Sequence, residues 1–183
     1  MRCFFMNKNK IIVLISMYCC LALVLDYIKS FIPLLNMPSG GSINIALIPI
    51  VICSFHLGTI NAMLCGGLWW LVSSLLGLNP YYISLMQYVI DYIIPSIVIG
   101  ACSLFYKNRK ILEAELGILF VMIIRTFCLT LSGAMFWPDG VAAGSTQAWV
   151  ASCVYNVPYN AATLIMLMLI IPLVLNRLKK YML

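Results

Sequence analysis

Long apolar runs separated by short polar stretches dominate the sequence of this 183-residue chain. Proline, glycine, asparagine and charged residues divide the apolar positions into six runs, at roughly 11–31, 43–56, 58–76, 87–106, 112–136 and 149–175. An α-helix needs about 20 apolar residues to cross a bilayer. The pattern therefore predicts an all-α membrane protein, with six transmembrane helices in one bundle and a single integral-membrane domain over residues 1–183. The second run, of about 14 residues, is short for a full crossing.

Small residues on the third run predict close contact between helices. Gly58, Ala62 and Gly66 follow one another at intervals of four residues, which places them on one face of a helix. Small residues at this spacing let helix backbones approach closely within a membrane. The stripe indicates architecture rather than chemistry.

The composition narrows the class of protein further. Hydrophobic residues make up 64% of the chain and charged residues 9%, against about 45–50% and about 25% in soluble domains. This excludes a soluble enzyme, a disordered chain and a nucleic-acid-binding protein, although the net charge is +6.

Basic residues occur in three clusters, and these clusters predict the orientation in the membrane. They precede the first run, separate the fourth run from the fifth, and close the chain: Arg2, Lys8 and Lys10; Lys107, Arg109 and Lys110; Arg177, Lys179 and Lys180. Short loops on the cytoplasmic side are enriched in Lys and Arg. Six crossings from a cytoplasmic N-terminus put all three clusters on that side, so both termini are expected to be cytoplasmic. Anionic lipid headgroups are expected as secondary partners.

Motifs for enzymatic chemistry are missing from the sequence. The eight cysteines form no C-x-x-C pair, His56 is the single histidine, and no phosphate-binding loop of the G-x-x-x-x-G-K-[ST] type occurs. We therefore expect no metal, no cofactor and no enzymatic activity. Uphill transport would draw its energy from an ion gradient or from another subunit.

Asp91 is the clearest candidate for a functional residue. An ionisable group inside a membrane segment costs at least about 2.5–3.5 kcal/mol at the centre of the bilayer. Such a residue therefore indicates a functional site unless it has a structural partner. Gln87 and Tyr88 lie on the same helical face as Asp91, and Tyr92 follows it. These neighbours suit a small ring that carries an amino group or a positive charge. The alternative is a structural aspartate paired with Arg125 of the fifth run.

Further polar and aromatic residues gather at the end of the bundle expected to face outward. Trp137 ends the fifth run, and the sixth begins with Trp149, Tyr155, Asn156, Tyr159 and Asn160. Tyr and Trp concentrate at membrane interfaces in any case, but the asparagines beside them favour a pocket. The connections around 33–42 and 138–147 lie at this end and either cover that pocket or are simply solvated.

These residues resemble one known family, the thiamine-specific (ThiT-like) S components of energy-coupling factor (ECF) transporters. The resemblance covers nearly the whole chain and rests on the order and spacing of Leu25–Ile28, Pro38–Ile43, Leu47–Ile50, Gln87–Tyr92, Arg125, Ser132–Gly133, Phe136–Trp137 and Val154–Asn156. S components bind a vitamin for uptake across the bacterial plasma membrane. The resemblance implies six helices, a thiamine pocket near the outer face, and a complex with a coupling transmembrane subunit and two ATPase subunits.

The resemblance also assigns roles to individual residues. Asp91 takes the place of the acid that binds the aminopyrimidine, Tyr81 and Tyr92 match pocket tyrosines, Trp137 matches the aromatic that stacks on the ligand, and Asn156 matches a pocket asparagine. Gln87 and Tyr155 join the predicted site from their positions beside these residues. In the family a histidine and a tyrosine are expected where this chain has Leu129 and Ala151.

The sequence thus predicts a thiamine-binding transport subunit and leaves two alternatives open. The same fold could bind another vitamin or a pyrimidine precursor, as the departures at Leu129 and Ala151 suggest. A membrane scaffold without transport activity, in which Asp91 and Arg125 pair to fix helix packing, is the second alternative.

Overall fold

A computed structural model of the chain describes residues 7–37, 41–78, 81–138 and 140–178. This part of the chain forms six helices, which confirms the predicted all-α class and the helix number. Their bounds are α1 Lys8–Lys29, α2 Leu47–Leu57, α3 Thr59–Leu75, α4 Leu85–Phe105, α5 Ile111–Phe136 and α6 Thr146–Leu178. Each lies within a few residues of the predicted run. By length and composition, α1, α4, α5 and α6 are long enough to span a membrane.

The second helix is shorter than a membrane crossing, as its sequence predicts. The eleven residues of α2 extend about 16 Å at 1.5 Å per residue, against a hydrocarbon core of about 30 Å. The connection before it descends into the bundle, where the Asn44 backbone N–H donates to the Thr163 hydroxyl at 3.1 Å. The Ala46 N–H in turn donates to the Asn44 side chain at 3.1 Å. Irregular backbone therefore completes this crossing, and polar side chains accept hydrogen bonds from its N–H groups.

The fourth helix is not a regular α-helix, a feature that the apolar pattern did not predict. Leu85–Tyr88 is α-helical, Val89–Ile93 forms a π-helical turn, Ile94–Val98 is α-helical again, and Ile99–Phe105 is a 3-10 helix. The cause of the π turn is Pro95, whose ring has no N–H and clashes with the carbonyl four residues earlier in an α-helix. That carbonyl belongs to Asp91. Turns of this kind are frequent at functional sites.

Small residues bring α3, α4 and α5 into close contact. A methyl group added at Gly66 would lie less than 3.0 Å from the Ser96 carbonyl oxygen, and one added at Gly100 would collide with the backbone at Ala62. The predicted close packing is thus confirmed at Ala62 and Gly66. Gly58, the first member of the predicted stripe, has open space around its missing side chain and serves as the turn between α2 and α3, with φ of +83°.

Apolar side chains cover the outside of the bundle as well as its core. The core is built from buried aliphatic and small residues of all six helices, whereas large exposed apolar side chains run along the outer faces, for example Ile12, Leu21, Leu64, Ile123 and Leu169. A water-soluble domain would hide most of this surface. The exterior is that of a protein surrounded by lipid.

The two ends of the bundle differ in character. Lys8 and Lys10 begin α1, Lys107–Lys110 connects α4 to α5, and Arg177 is in the last turn of α6. Consecutive helices reverse direction, so these basic positions share one end; Arg2, Lys179 and Lys180 lie outside the described residues. The Tyr18 hydroxyl, about halfway along α1, is 2.9 Å from Nδ1 of His56, which ties α1 to α2. The cytoplasmic orientation of this end stays a prediction.

Candidate binding site

A cavity of about 930 Å³ lies at the end of the bundle opposite the basic positions. Its walls come from α1, α3, α4, α5 and α6 and from the connections on that side. Of the seven residues predicted for the site, the structure brings six to this wall: Asp91, Tyr92, Tyr81, Trp137, Asn156 and Tyr155. The seventh, Gln87, is fully buried behind it and contacts Asp91. The volume falls in the range of about 300–1,000 Å³ that is usual for small-molecule sites.

The walls follow from helical periodicity. Three cavity residues of α5 and the residue directly after its end are spaced at intervals of four, namely Arg125, Leu129, Gly133 and Trp137. Residues at this spacing occupy one helical face. On α6 the same rule selects Ala151, Ser152, Tyr155, Asn156 and Tyr159. Both positions at which the chain departs from the family pattern, Leu129 and Ala151, are therefore part of the wall.

Asp91 is held in place by Gln87. The Gln87 side-chain amide donates to Asp91 Oδ2 at 2.8 Å, while its carbonyl oxygen accepts from the Ile83 backbone N–H at 3.3 Å. Ser84 is the N-cap of α4, and its hydroxyl accepts from the Gln87 backbone N–H at 3.2 Å. A carboxylate oriented in this way keeps acceptor capacity free for a second partner, because each oxygen has two lone pairs.

Aromatic rings form the cavity mouth. The rings of Tyr81 and Trp137 meet edge to face with centroids 6.2 Å apart, and both side chains are exposed. Tyr92 lies deeper and packs against Tyr88 at 4.9 Å, and the Tyr88 hydroxyl donates to Ser74 of α3 at 2.8 Å. The mouth thus offers flat apolar faces to a ring-shaped ligand.

Asn156 lines the cavity, but protein groups already engage its amide. The amide nitrogen donates to the Ser152 carbonyl at 3.0 Å and to the Leu129 carbonyl at 3.4 Å, and the amide oxygen accepts from the Tyr159 hydroxyl at 2.6 Å. Gly133 permits this contact, because any side chain there would collide with Ser152. Asn156 therefore joins α5 to α6 and orients Tyr159 toward the cavity.

Arg125 does not pair with Asp91. Within the described ranges, Arg125 forms no ion pair with a carboxylate, and its Nη1 donates to the Pro95 carbonyl at 3.3 Å. The Arg125 side chain is 8% exposed and lines the cavity. The pairing of Arg125 with Asp91, which the sequence offered as an alternative to a binding role for Asp91, is therefore not observed.

Sequence reasoning missed an ion pair on the part of the cavity wall that α1 forms. Asp26 and Lys29, near the end of α1, form a 2.7 Å ion pair beside the cavity, and Trp69, Ser96 and Tyr159 also line it. The signal was available, because Asp26 is an acid inside an apolar run in the same way as Asp91. Lys29, three residues later, is its neighbour on the helix face.

Both connections singled out from the sequence contribute to the wall. Gly41 and Ser42 line the cavity from the first connection and Pro138 from the last. The backbone of Gly41, with φ of +76°, lies against the ring of Tyr159 so closely that no side chain would fit. Pro38–Gly40 and Asp139, which belong to these connections, lie outside the described residues. Each connection thus contributes to the wall through these residues, while most of its other described residues are exposed.

The fold and the cavity are those of a small multi-pass membrane protein that can hold a small molecule at one end of its bundle. The family model described as thiamine transporter protein (Thia_YuaJ) matches residues 12–183. The chain therefore belongs to the thiamine transporter protein family, whose members are non-enzymatic transport proteins, and it is a multi-pass protein of the bacterial plasma membrane.

Two relatives agree with this assignment. The thiamine transporter ThiT of Bacillus subtilis (strain 168) is 28% identical over 174 residues, a match that covers 87% of this chain and 88% of the relative. The solved structure of ThiT from Listeria monocytogenes superimposes with a TM-score of 0.80 at 25% identity, over 95% of this chain and 98% of that one. The likeness extends over the entire bundle.

Proposed function

We propose that this protein is the substrate-binding S component of an ECF-type vitamin transporter and that it binds thiamine in the cavity. The observation that supports this proposal is the convergence of Asp91, Trp137, Tyr81 and Tyr92 on one chamber, together with membership of the thiamine transporter family. The end of the bundle that carries the cavity would face outward, because the basic positions lie at the other end.

The chemistry of the wall matches the two rings of thiamine. The amino group of the pyrimidine is a hydrogen-bond donor and Asp91 an oriented acceptor, which makes this contact charge-assisted. The pyrimidine would stack on Trp137 at the mouth, with Asn156 and Tyr155 beside it. The thiazolium ring is cationic and would lie against the tyrosine rings of Tyr81 and Tyr92.

Partners would supply the energy for uptake. The sequence contains no phosphate-binding loop, so ATP hydrolysis would come from two ATPase subunits through a coupling transmembrane subunit. Release of thiamine on the cytoplasmic side would then require the assembled complex, whereas binding would not. The isolated protein in detergent is accordingly the right material for a binding test.

A tryptophan fluorescence titration tests the ligand. Two of the four tryptophans, Trp69 and Trp137, line the cavity, so thiamine should quench the emission saturably at submicromolar concentration. Trp137→Phe should weaken binding and reduce the quench. Trp149→Phe is the matched control, because Trp149 does not line the cavity, and it should retain both. Equal thiamine affinity and equal quenching in the two variants would show that Trp137 does not belong to the site.

Asp91→Asn tests the recognition of the amino group. Loss of a charge-assisted contact is worth about 1.5–3 kcal/mol, so the affinity for thiamine should fall by more than tenfold. A scaffold protein would instead lose thermal stability in this variant while showing no thiamine binding to begin with. Unchanged affinity would exclude Asp91 from the site.

A second candidate ligand follows from Leu129 and Ala151. Both line the cavity without a side-chain hydrogen-bonding group, so the wall offers fewer polar contacts than the family pattern. The same titration with the isolated aminopyrimidine alcohol and with other vitamins distinguishes the cases. Tighter binding of the pyrimidine alone than of thiamine would favour a precursor transporter.

A further inference from the structure

Ser132 of α5 carries a buried hydroxyl that forms no regular hydrogen bond. The residue is 0% exposed, and its Oγ has no hydrogen-bond partner in the part of the chain that the structure describes. Serine and threonine inside helices commonly donate to the carbonyl four residues earlier. Thr126 on the same helix does so, to the Met122 carbonyl at 2.7 Å. Ser132 does not use this local acceptor, and an unsatisfied buried hydroxyl is destabilising.

The Ser132 hydroxyl faces the Asp91 carboxyl group. The helices α4 and α5 run antiparallel, and the contact of Arg125 with the Pro95 carbonyl sets their register. Ser132 lies about two turns further along α5 toward the cavity, and the π turn that contains Asp91 packs against α5. The Asp91 carboxyl group is within interaction range of the Ser132 hydroxyl, without a completed hydrogen bond between the two. A hydroxyl rotates to suit its acceptor, so Ser132 is able to donate to Asp91.

Asp91 has acceptor capacity for this second donor. Its Oδ2 accepts from the Gln87 amide at 2.8 Å, and a carboxylate offers about four lone-pair sites in all. Gln87 approaches along α4, whereas Ser132 approaches from α5. Donors on two different helices fix both the position and the tilt of a carboxylate. Of these three residues only Asp91 lines the cavity, so the other two act on a ligand through Asp91.

We propose that Ser132 is a positioning residue for ligand recognition, whose hydroxyl donates to the Asp91 carboxylate when the ligand is bound. Together with Gln87 it would hold the carboxylate toward the amino group of the ligand. A carboxylate fixed in this way loses less freedom on binding, which strengthens the contact that it makes. This inference rests on the proposed function, since it takes Asp91 as the acceptor for the aminopyrimidine.

The test is a calorimetric titration of the purified full chain in detergent with two compounds. One is thiamine, and the other is an analogue that carries hydrogen in place of the pyrimidine amino group. Ser132→Ala should lower the affinity for thiamine roughly tenfold or more, as expected for a lost hydrogen bond to a charged group. The affinity for the analogue should change less than about twofold, because the analogue lacks the group that Asp91 recognises. Thr126→Val is the matched control and should leave both affinities unchanged, since the Thr126 hydroxyl bonds only within α5.

Further variants distinguish hydrogen bonding from packing at Ser132. Ser132→Cys fills a similar volume but offers only a weak donor, so its thiamine affinity should resemble that of Ser132→Ala. Without ligand, the Tm of Ser132→Ala should equal or exceed that of the wild type, because an unsatisfied buried hydroxyl has been removed. In the double variant with Asp91→Asn, Ser132→Ala should cause little further loss of affinity. A residue needed only for packing would instead lower the Tm and weaken the binding of both compounds.

The outcomes separate this inference from the proposed function. If the wild type binds thiamine and Ser132→Ala binds it equally well, or loses affinity for thiamine and the analogue alike, Ser132 does not position Asp91, while the proposed function stands. Fully additive losses in the double variant would overturn the inference in the same way. If the wild type binds neither compound, the proposed function fails and the inference fails with it. Should Ser132→Ala not fold, the two affinities of Ser132→Cys decide the question.

Discussion

Gly66 offers a direct test of how the fold sets the cavity. A Gly66→Ala change adds one methyl group on α3, facing the backbone of α4. That methyl would lie less than 3.0 Å from the Ser96 carbonyl oxygen, well inside the 3.4 Å at which ordinary contact begins. The obstacle is backbone rather than a flexible side chain, so the two helices must separate.

The magnitude follows from two opposing effects. Alanine in place of glycine inside a helix gains about 1 kcal/mol of helix propensity, whereas inserting a methyl into a packed contact costs about 1–3 kcal/mol. Gly67→Ala is the matched control, because its methyl would meet only Ile97 Cγ1 at an ordinary 3.6 Å. Gly67→Ala should thus be neutral or stabilising, and Gly66→Ala should be less stable than Gly67→Ala by about 1–3 kcal/mol.

Thermal unfolding in detergent, followed by tryptophan fluorescence, measures this difference. At about 2–4 °C per kcal/mol for a chain of this size, the Tm of Gly66→Ala should lie roughly 2–12 °C below that of Gly67→Ala. Ligand affinity should fall in Gly66→Ala alone, because Trp69 and Ser96 border this contact and line the cavity. Equal Tm values would refute the close α3–α4 packing.

Two further predictions concern the positioning of the wall. Gln87→Met removes the donor to Asp91 and should weaken ligand binding by roughly 10–100-fold. In the double variant with Asp91→Asn, Gln87→Met should cause little further loss of affinity. Fully additive losses would show that Gln87 does not act through Asp91. Gly41→Ala should weaken ligand binding at least tenfold, because its methyl group collides with Tyr159. Gly77→Ala is the control, since Gly77 has a similar φ of +74° but open space around it, and it should change only stability. Equal ligand affinities of the two variants in a titration would contradict the contact between Gly41 and Tyr159.

Much of this bundle was predictable because each helix coincides with an apolar run that has a clear boundary. Asp91 and Trp137 were equally visible, the first as an acid in an apolar segment and the second as an aromatic at the end of one. Periodicity alone places Leu129 and Ala151 on the same faces as the cavity residues. These features depend on local sequence, so local reasoning was sufficient.

Features that depend on contacts between helices could not be predicted in this way. The rotation of α3 turns Trp69 toward the cavity, and the depth of the 41–46 segment depends on Thr163, more than a hundred residues away. Whether Asn156 is free for a ligand depends on Tyr159 and the carbonyls around it. The π turn at Asp91 is an intermediate case. Pro95, which causes the turn, is visible in the sequence, but the apolar pattern alone did not predict the turn.

The short α2 has a consequence for how the protein is made. A segment of eleven residues is too short to enter the bilayer as an autonomous span during synthesis. The Gly58 turn joins it tightly to α3, so the two should insert together as a hairpin. Substitutions in α2 should therefore lower the amount of protein that reaches the membrane, while the molecules that do insert bind their ligand normally.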